Sequence, residues 1–459
     1  MRFGSLTLGC KVNQFETQAM AAILSSHGHT HAPAGAGCDV VIINTCAVTL
    51  ESARKSRQAI RRAKKNCPGA LIAVCGCFSQ LDPAAAAALE ADLVGGSGDR
   101  RAFVLELEKA AAVRGERSVT EERERSLLSR SVPCSSRNSL ASKDRSRPFA
   151  ALRPPVSFEE LQPGGMEGRT RALLKIQDGC DNFCAYCIVP LLRGRSRSLP
   201  VGRAAEGARM LREQGYKEIV VTGIELSGYG KDLDGKPAPE DVFQVIGAAA
   251  PDARIRLGSL DPGMVTGDFC DKIRNIPNLC DHFHLSLQSG CDDTLRRMGR
   301  GYDSAAVMDA IISLRHRFHN CGITADLIVG FPGETDEQFE QSLSFIKRAA
   351  FSDMHIFPFS PRPGTVAAGL PDQIAKPVRR VRAGMAAAAA EETACLYRSS
   401  QVGKALEVLF ERKRGGYWTG FSKNYIEVFV KEGGPKNSLQ NVLITGFDNG
   451  IVLGEPLYQ

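Results

Sequence analysis

Cys180-Asp-Asn-Phe-Cys184-Ala-Tyr-Cys187 is the stretch from which the rest of the chain is best read. Its cysteines, spaced CxxxCxxC, follow closely on Ala172–Ile176, an apolar run that predicts a β-strand. Soft thiolates at such short spacing suit an iron–sulfur cluster. Three thiolates on a four-iron cluster leave one iron without a protein ligand. That iron can take a substrate, much as the open position of a catalytic zinc does. A closed zinc site needs a fourth ligand, and no His or Cys follows nearby.

Working outward, strand and helix patterns alternate from Thr170 to about Pro363. Predicted strands are Ala172–Ile176, Glu218–Thr222, Arg254–Leu257, His282–Leu287, Thr324–Val329 and Met354–Phe359; Arg203–Gln214, Ser304–Phe318 and Asp336–Ala349 are among the helices between them. Six βα units in a row predict a partial (β/α)6 barrel, with its chemistry at the carboxyl ends of the strands. Upstream, residues 1 to about 98 alternate likewise, with strands at Arg2–Leu8, Asp39–Asn44 and Ala70–Cys75 and helices at Gln14–Ser26, Glu51–Lys65 and Pro83–Ala91, which predicts a small parallel α/β domain. Residues 112–168 are rich in Arg, Ser, Glu, Pro and Gly and read as a linker. Downstream, an alanine- and arginine-rich helix, Pro377–Ser399, precedes a small antiparallel β domain with turns at Gly415-Gly416, Gly433-Gly434 and Asn449-Gly450.

A second constellation lies in the N-terminal domain. Cys10, Cys46 and Cys77 each fall just past a predicted strand. In a parallel sheet the carboxyl strand ends face one way, so these thiols can converge on a second cluster with an open iron. Cys75 would share a face with Cys77 if the strand continued. Cys77 is preferred because it lies beyond the strand, after a permissive glycine. Cys38, Cys67, Cys134, Cys270, Cys280, Cys291, Cys321 and Cys395 form no ligand pattern and read as structural or surface thiols.

Composition agrees with this. The chain has 459 residues, enough for two or three domains, and 15 cysteines, an odd number that argues against a disulfide framework. The sequence has no long apolar run of transmembrane length, and Met1-Arg-Phe-Gly-Ser-Leu lacks the features of a signal peptide. A cytoplasmic protein without a membrane partner is expected. The net charge of +7 permits a polyanionic partner without demanding one.

Taken together, six motifs carry a resemblance. They are Leu8-Gly-Cys10-Lys-Val-Asn-Gln14, Asn44-Thr-Cys46-Ala-Val-Thr49, Gly76-Cys77-Phe-Ser-Gln80, Asp178-Gly-Cys180 through Cys187, Arg193-Gly-Arg195-Ser-Arg197 and His284-Leu-Ser286-Leu-Gln-Ser-Gly290. With them the chain resembles the radical S-adenosylmethionine (SAM) methylthiotransferases nearly end to end. The resemblance implies a cluster domain over 1–111, the linker over 112–168, a radical SAM domain over 169–399 and a TRAM domain over 400–459. The first-cysteine motif is similar to the branch acting on threonylcarbamoyl-adenosine beside the tRNA anticodon. It differs from the branches acting on isopentenyl-adenosine or on a ribosomal protein aspartate. Leu191-Leu192 departs from the aromatic and small residues expected there.

The family implies two 4Fe–4S clusters, on Cys10, Cys46 and Cys77 and on Cys180, Cys184 and Cys187. It implies two uses of SAM: methylation of sulfur attached to the first cluster, and cleavage at the second to a radical that removes hydrogen from carbon 2 of adenine. Gly223, Ser259, Ser286 and Asp326, at or near strand ends, are expected SAM contacts, and Glu225 a possible assistant; His282 and His284 read as scaffold. Expected partners are the tRNA anticodon stem-loop, an electron donor such as flavodoxin or ferredoxin, and a sulfur source.

Three stretches could meet RNA: Arg54, Lys55, Arg57, Arg61, Arg62, Lys64 and Lys65 on one helix; Arg193, Arg195 and Arg197; and Arg412-Lys-Arg414 beside Tyr417, Trp418, Phe421 and Tyr425. Basic groups neutralise phosphates and aromatics stack on unpaired bases. The competing readings are a ribosomal-protein substrate, a radical SAM enzyme whose second cluster only relays electrons, and a non-catalytic RNA-binding metal protein.

Overall fold

The computed structural model describes residues 1–35, 37–128, 152–165 and 169–457. Contacts divide the chain into two compact units, Met1–Gly164 with Leu191–Gly194, and Gly165–Pro190 with Arg195–Gln459.

The first unit is built on a parallel sheet. Its strands are β1 (Arg2–Thr7), β2 (Thr30–His31), β3 (Val40–Thr45), β4 (Leu71–Gly76) and β5 (Leu93–Val94), ordered β2-β1-β3-β4-β5. β3 and β4 are buried along their whole length, as strands covered on both faces must be. Helices α1 (Lys11–Ser26), α2 (Leu50–Asn66), α3 (Cys77–Leu81) and α4 (Pro83–Ala88) connect them. α2 starts at Thr49, whose hydroxyl accepts from the Ser52 N–H while Ser52 reaches back to the Thr49 N–H. Gly76 turns the chain from β4 into α3 at a φ of 99°; a Cβ there would stand 2.4 Å from Asn44 Oδ1.

The expected linker at 112–168 is corrected at both ends. A helix, α5 (Arg100–Leu128), runs through its first part. The Glu and Arg residues that made this stretch look linker-like are also good helix formers. Near its other end, the Glu159 carboxylate accepts from the Arg100 and Arg101 N–H groups at 2.9 Å each, capping α5. The rest of the linker, 129–151 and 166–168, including Cys134, lies outside the described residues.

In the second unit the strands are β6 (Arg171–Lys175), β7 (Gln177–Asp178), β8 (Arg197–Ser198), β9 (Glu218–Thr222), β10 (Arg254–Leu257), β11 (Ser259–Leu260), β12 (His282–Gln288), β13 (Gly322–Val329) and β14 (Asp353–Pro358). Two parallel sheets, β6-β9-β10 and β11-β12-β13-β14, follow chain order, with only Gly258 between β10 and β11. This is the six-unit partial barrel expected. β7 and β8 form a separate antiparallel pair flanking the cysteine loop.

After the helix Lys376–Ser399 come β15 (Ala405–Arg414), β16 (Tyr417–Ser422), β17 (Glu427–Val430), β18 (Leu439–Asp448) and β19 (Ile451–Pro456). They close into a barrel ordered β15-β16-β17-β19-β18. The expectation of an antiparallel domain needs one amendment, because β17 and β19 pair in parallel. Strands in a closed ring of five cannot alternate direction all the way round, so at least one parallel pair is forced.

This barrel joins the radical SAM sheets through buried charge. Glu218, fully buried, accepts from Arg254 and from Arg256 at 2.6 and 3.0 Å. The same two guanidiniums donate to the backbone oxygens of Glu407, Phe421, Ser422 and Lys423.

Candidate active site

The cysteine loop leaves β7 and is held by Gln177. Its amide nitrogen donates to the carbonyls of Asp178 and Gly179 and to Ser196 Oγ, and its oxygen accepts from the Ile224 and Glu225 N–H groups at 2.9 Å each. One side chain thus ties the cysteine loop to the turn after β9. Cys180 and Cys184 are buried and Cys187 is half-buried. Burial pushes the Cys180 thiol up to about 11 and Cys187 to about 12, with neighbouring acidic groups and thiols adding to it. A thiolate in such surroundings needs a cation, and iron bound there would supply one.

Arg300 already brings positive charge to this loop. Its guanidinium donates to Cys184 Sγ at 3.2 Å, to Tyr302 Oη at 2.8 Å and to Asp261 Oδ2 at 2.8 Å. Tyr302 in turn donates to the Ser286 carbonyl. Beside it, burial foremost, then the nearby Asp261, raises the Glu225 carboxyl above its ordinary range. The three soft donors on one short loop, with a guanidinium alongside, fit an iron–sulfur cluster with an open iron.

The expected SAM contacts divide. Ser259 is exposed and in register with His284, and Ser286 lies two residues beyond His284 on the same face of β12. The opposite face carries Phe283, Leu285 and Leu287, all fully buried. Asp326, on β13, lies 3.2 Å from His284 Nε2, so the His284 expected as scaffold partners an expected ligand residue. His282 is scaffold: it is buried, bonded to Thr324 at 3.0 Å and stacked on Tyr425. Gly223 has a packing reason of its own. A Cβ there would stand 2.8 Å from Gln177 Oε1, so the glycine makes room for Gln177.

In the first unit Cys10, Cys46 and Cys77 sit at the carboxyl ends of β1, β3 and β4. A Cβ on Gly9 would lie 2.9 Å from Cys46 Sγ. Burial pushes the Cys77 thiol up to about 12; the Arg193 charge opposes this, while Cys10 and Cys46 add to it. Cys10 is exposed, unlike Cys46 and Cys77; desolvation by the surrounding chain still raises its thiol, with Arg193 again opposing and Cys46 adding. The three thiols therefore feel one another. Cys75 instead joins the core cluster of Phe3, Met20, Ile42 and Phe103, which settles the direction that spacing left open. Among the described residues no three His, Cys, Asp or Glu side chains are close enough to hold a single metal ion. A cluster with several irons spreads its thiolates more widely than one ion does. The soft donor set at three strand ends fits such a group.

Two family models match separate stretches of the chain. Residues 174–346 match the radical SAM superfamily model, and residues 2–96 match uncharacterized protein family UPF0004. The chain is 33% identical to the threonylcarbamoyladenosine tRNA methylthiotransferase MtaB of Bacillus subtilis (strain 168), over 93% of this chain and 89% of that protein. It is 35% identical to the protein of the same name from Thermotoga maritima, over 92% and 89%. The chain belongs to the radical SAM methylthiotransferase family. Within it, the tRNA-2-methylthio-N(6)-dimethylallyladenosine synthase of Syntrophotalea carbinolica is 31% identical over 88% of this chain and 87% of that one. In fold, this family member is similar to the radical SAM methyltransferase TsrM from Kitasatospora setae, with a TM-score of 0.53 at 13% identity, covering 80% and 74% of the two chains.

The basic stretches of this methylthiotransferase have unequal fates. On α2, Arg54, Lys55, Arg61, Arg62 and Lys65 are exposed. Of Arg193, Arg195 and Arg197, only Arg195 reaches solvent. Arg193 is buried against Glu16 and Asn13, and Arg197 against Asp178. They are withdrawn as phosphate ligands, because each is committed to a carboxylate. Phe421 and Tyr425 are likewise used internally: they stack at 4.9 Å, Arg171 lies over both rings, and Arg256 lies over Tyr425. Arg412, Lys413 and Arg414 are exposed, with Lys413 5.1 Å from the half-buried Trp418 ring. Among the described residues no helix is long and apolar enough to cross a membrane.

Sequence reading missed Gln177, Arg300, Tyr302 and Asp261. Gln177 stands one residue before Asp178-Gly-Cys180, and that adjacency was its only local signal. Arg300, Tyr302 and Asp261 meet the loop only through the fold.

Proposed function

We propose that this chain is a tRNA methylthiotransferase that converts threonylcarbamoyl-adenosine beside the anticodon to its 2-methylthio derivative. The observation that carries this is the likeness to the Bacillus subtilis and Thermotoga maritima enzymes across both thiol-bearing regions. Cys180, Cys184 and Cys187 would hold one 4Fe–4S cluster, and Cys10, Cys46 and Cys77 the other. When bound, the first supplies reductive cleavage of SAM to a carbon radical, and the second carries the sulfur to be transferred.

The chain's own residues bind, orient and shield. Gln177 fixes the cysteine loop against the turn at Glu225. Arg300 neutralises charge at Cys184. Ser259, Ser286 and Asp326 offer polar groups on one sheet face where SAM would lie, and the His284 contact orients Asp326. Exposed cations on α2 and at Arg195, and the Arg412–Arg414 strand with Trp418, suit the phosphates and bases of an anticodon stem-loop. The protein would work in the cytoplasm, supplied with electrons by a flavodoxin- or ferredoxin-like donor and with sulfur from a separate source.

Mass spectrometry of tRNA nucleosides from cells with and without the gene tests this reading. Loss of the methylthio form of threonylcarbamoyl-adenosine supports it. Loss of the methylthio form of dimethylallyl-adenosine instead moves the chain to the branch represented by the Syntrophotalea carbinolica enzyme. Unchanged tRNA overturns it, and the ribosomal protein aspartate is then the substrate to examine.

A further inference from the structure

Helix α2 carries Arg54, Lys55, Arg57, Arg61, Arg62, Lys64 and Lys65 against a single acid, Glu51. Three of these cations are committed nearby. Arg54 pairs with Glu51 at 2.5 Å, Lys64 faces Asp92 at 3.4 Å, and Arg57 lies over the Phe78 ring at 5.8 Å. Lys55, Arg61, Arg62 and Lys65 are exposed and meet no carboxylate among the described residues. With 3.6 residues to a turn, these four and Arg54 fall within about 120° of the helix surface. Arg54, Arg61 and Lys65 make one line, and Lys55 and Arg62 a second beside it.

Folding gives no reason for this row. α2 docks through Ala53, Ser56, Ile60 and Ala63, which are buried without help from the cations. Like charges three or four residues apart, as at Arg62–Lys65 and Arg61–Lys65, weaken a helix. Lys65 alone has a local role, since a cation in the last turn suits the helix dipole. A polyanion lying along the row would relieve the repulsion.

Composition selects the kind of polyanion. From Arg54 to Asn66 every exposed side chain is polar, the remainder being Gln58 and Asn66. A protein partner wants apolar or aromatic anchors, and unpaired bases want rings on which to stack. A base-paired stem presents its phosphates outermost and can be met by charge and shape alone. The C-terminal barrel differs, because Lys413 lies over Trp418 and Arg412 faces Glu427 at 3.7 Å, giving a ring-bearing surface with partly committed charge.

The row also has a direction relative to the thiols. The Ser56 hydroxyl donates to the Cys46 carbonyl at 2.9 Å and accepts from the Cys46 N–H at 3.1 Å. Lys55 therefore stands next to the residue that holds Cys46. Lys65 lies about 15 Å farther along the axis, toward the start of β4.

We propose that the exposed face of α2 binds the double-stranded stem of the anticodon arm through its phosphates, with the loop at the Lys55 end, toward Cys46. This rests on the reading of the chain as a tRNA methylthiotransferase.

The test is binding of an RNA hairpin, the anticodon stem and loop, to the iron-loaded full chain, followed by fluorescence anisotropy across a range of salt. Each phosphate contact on a duplex contributes roughly 0.9 to the log–log salt slope. The combined Lys55→Gln, Arg61→Gln, Arg62→Gln and Lys65→Gln variant should flatten that slope by about 3 to 4 and weaken binding about a hundredfold at about 0.1 M salt. A hairpin with its stem base pairs exchanged should lose as much, because phosphate contacts carry no sequence. An unpaired RNA of the loop sequence should bind variant and parent alike. Hairpin affinity and slope unchanged in the variant, or equal losses on hairpin and unpaired RNA, overturn the proposal and leave the tRNA reading standing. Loss of iron or of thermal stability in the variant makes the cations structural and overturns it too. A parent chain that does not bind the hairpin overturns the tRNA reading, and the proposal with it.

Discussion

The guanidinium of Arg300 lies 3.2 Å from the Sγ of Cys184 while paired with Asp261 at 2.8 Å. Arg300 follows the helix Asp292–Met298, and Asp261 follows β11. The ion pair therefore fastens the cysteine loop to the carboxyl ends of two different strands. Hydrogen bonds from a charged group are worth roughly 1.5–3 kcal/mol. Arg300→Gln should cut the rate of SAM cleavage by about ten- to a hundredfold. The measurement is 5′-deoxyadenosine formation under reducing conditions with iron content matched. Wild-type rates in that variant would remove Arg300 from the site.

Cys75 and Cys77 should separate cleanly. Cys75 is fully buried in the apolar core, and Cys77 opens α3 at the strand end. Cys75→Ala should keep the full iron content and cost about 1 kcal/mol of stability. Cys77→Ala should lose the N-terminal cluster, seen as a drop of about half in iron and visible absorbance if both sites hold clusters of equal size. Equal iron in the two variants would mean that Cys77 is no ligand.

Replacing Cys180, Cys184 and Cys187 together by Ala should abolish SAM cleavage and leave iron in the first unit. The two trios lie in separate compact units, so one can be emptied without unfolding the other. Loss of all iron from this variant would show that the sites are not independent.

Glu218 links the radical SAM sheets to the C-terminal barrel and should make their union sensitive to acid. Burial opposes its ionisation, but the Arg256 and Arg254 charges prevail and hold its pKa down at about 2. A carboxylate depressed in the folded state contributes stability that is full above its ordinary 4.5 and is lost as pH falls toward about 2. Glu218→Gln should cost roughly 3–5 kcal/mol at neutral pH, because it strands two buried guanidiniums. Urea unfolding should show that gap narrowing below about pH 4.5. A gap that widens in acid would reverse the assigned sign.

Much of this was legible in the residues. The apolar runs at Asp39–Asn44, Ala70–Cys75 and Glu218–Thr222 identified strands, each within a residue of the observed ones, because burial on both faces demands such runs. Position just past the runs Arg2–Leu8, Asp39–Asn44 and Ala70–Cys75 marked Cys10, Cys46 and Cys77, since a parallel sheet aims all its carboxyl ends one way. α5 was misjudged beyond residue 111 because Glu, Arg and Ser suit a solvated helix and a linker equally. The alternating arginines 193, 195 and 197 could not be sorted by type. Which of them meets Glu16, Asp178 or solvent depends on residues distant in sequence.

By itself the sequence determined the chemistry: soft thiols in two trios, a run of βα units, a strand-rich C-terminal domain. These are local properties of spacing and periodicity. Only tertiary structure decided which polar groups stand behind the thiols. Arg300 reaches Cys184 across 116 residues, and Arg193 reaches Glu16 across 177. Charges so far apart along the chain have no local signature. They are brought together because folding buries them, and a buried guanidinium persists only where a carboxylate meets it.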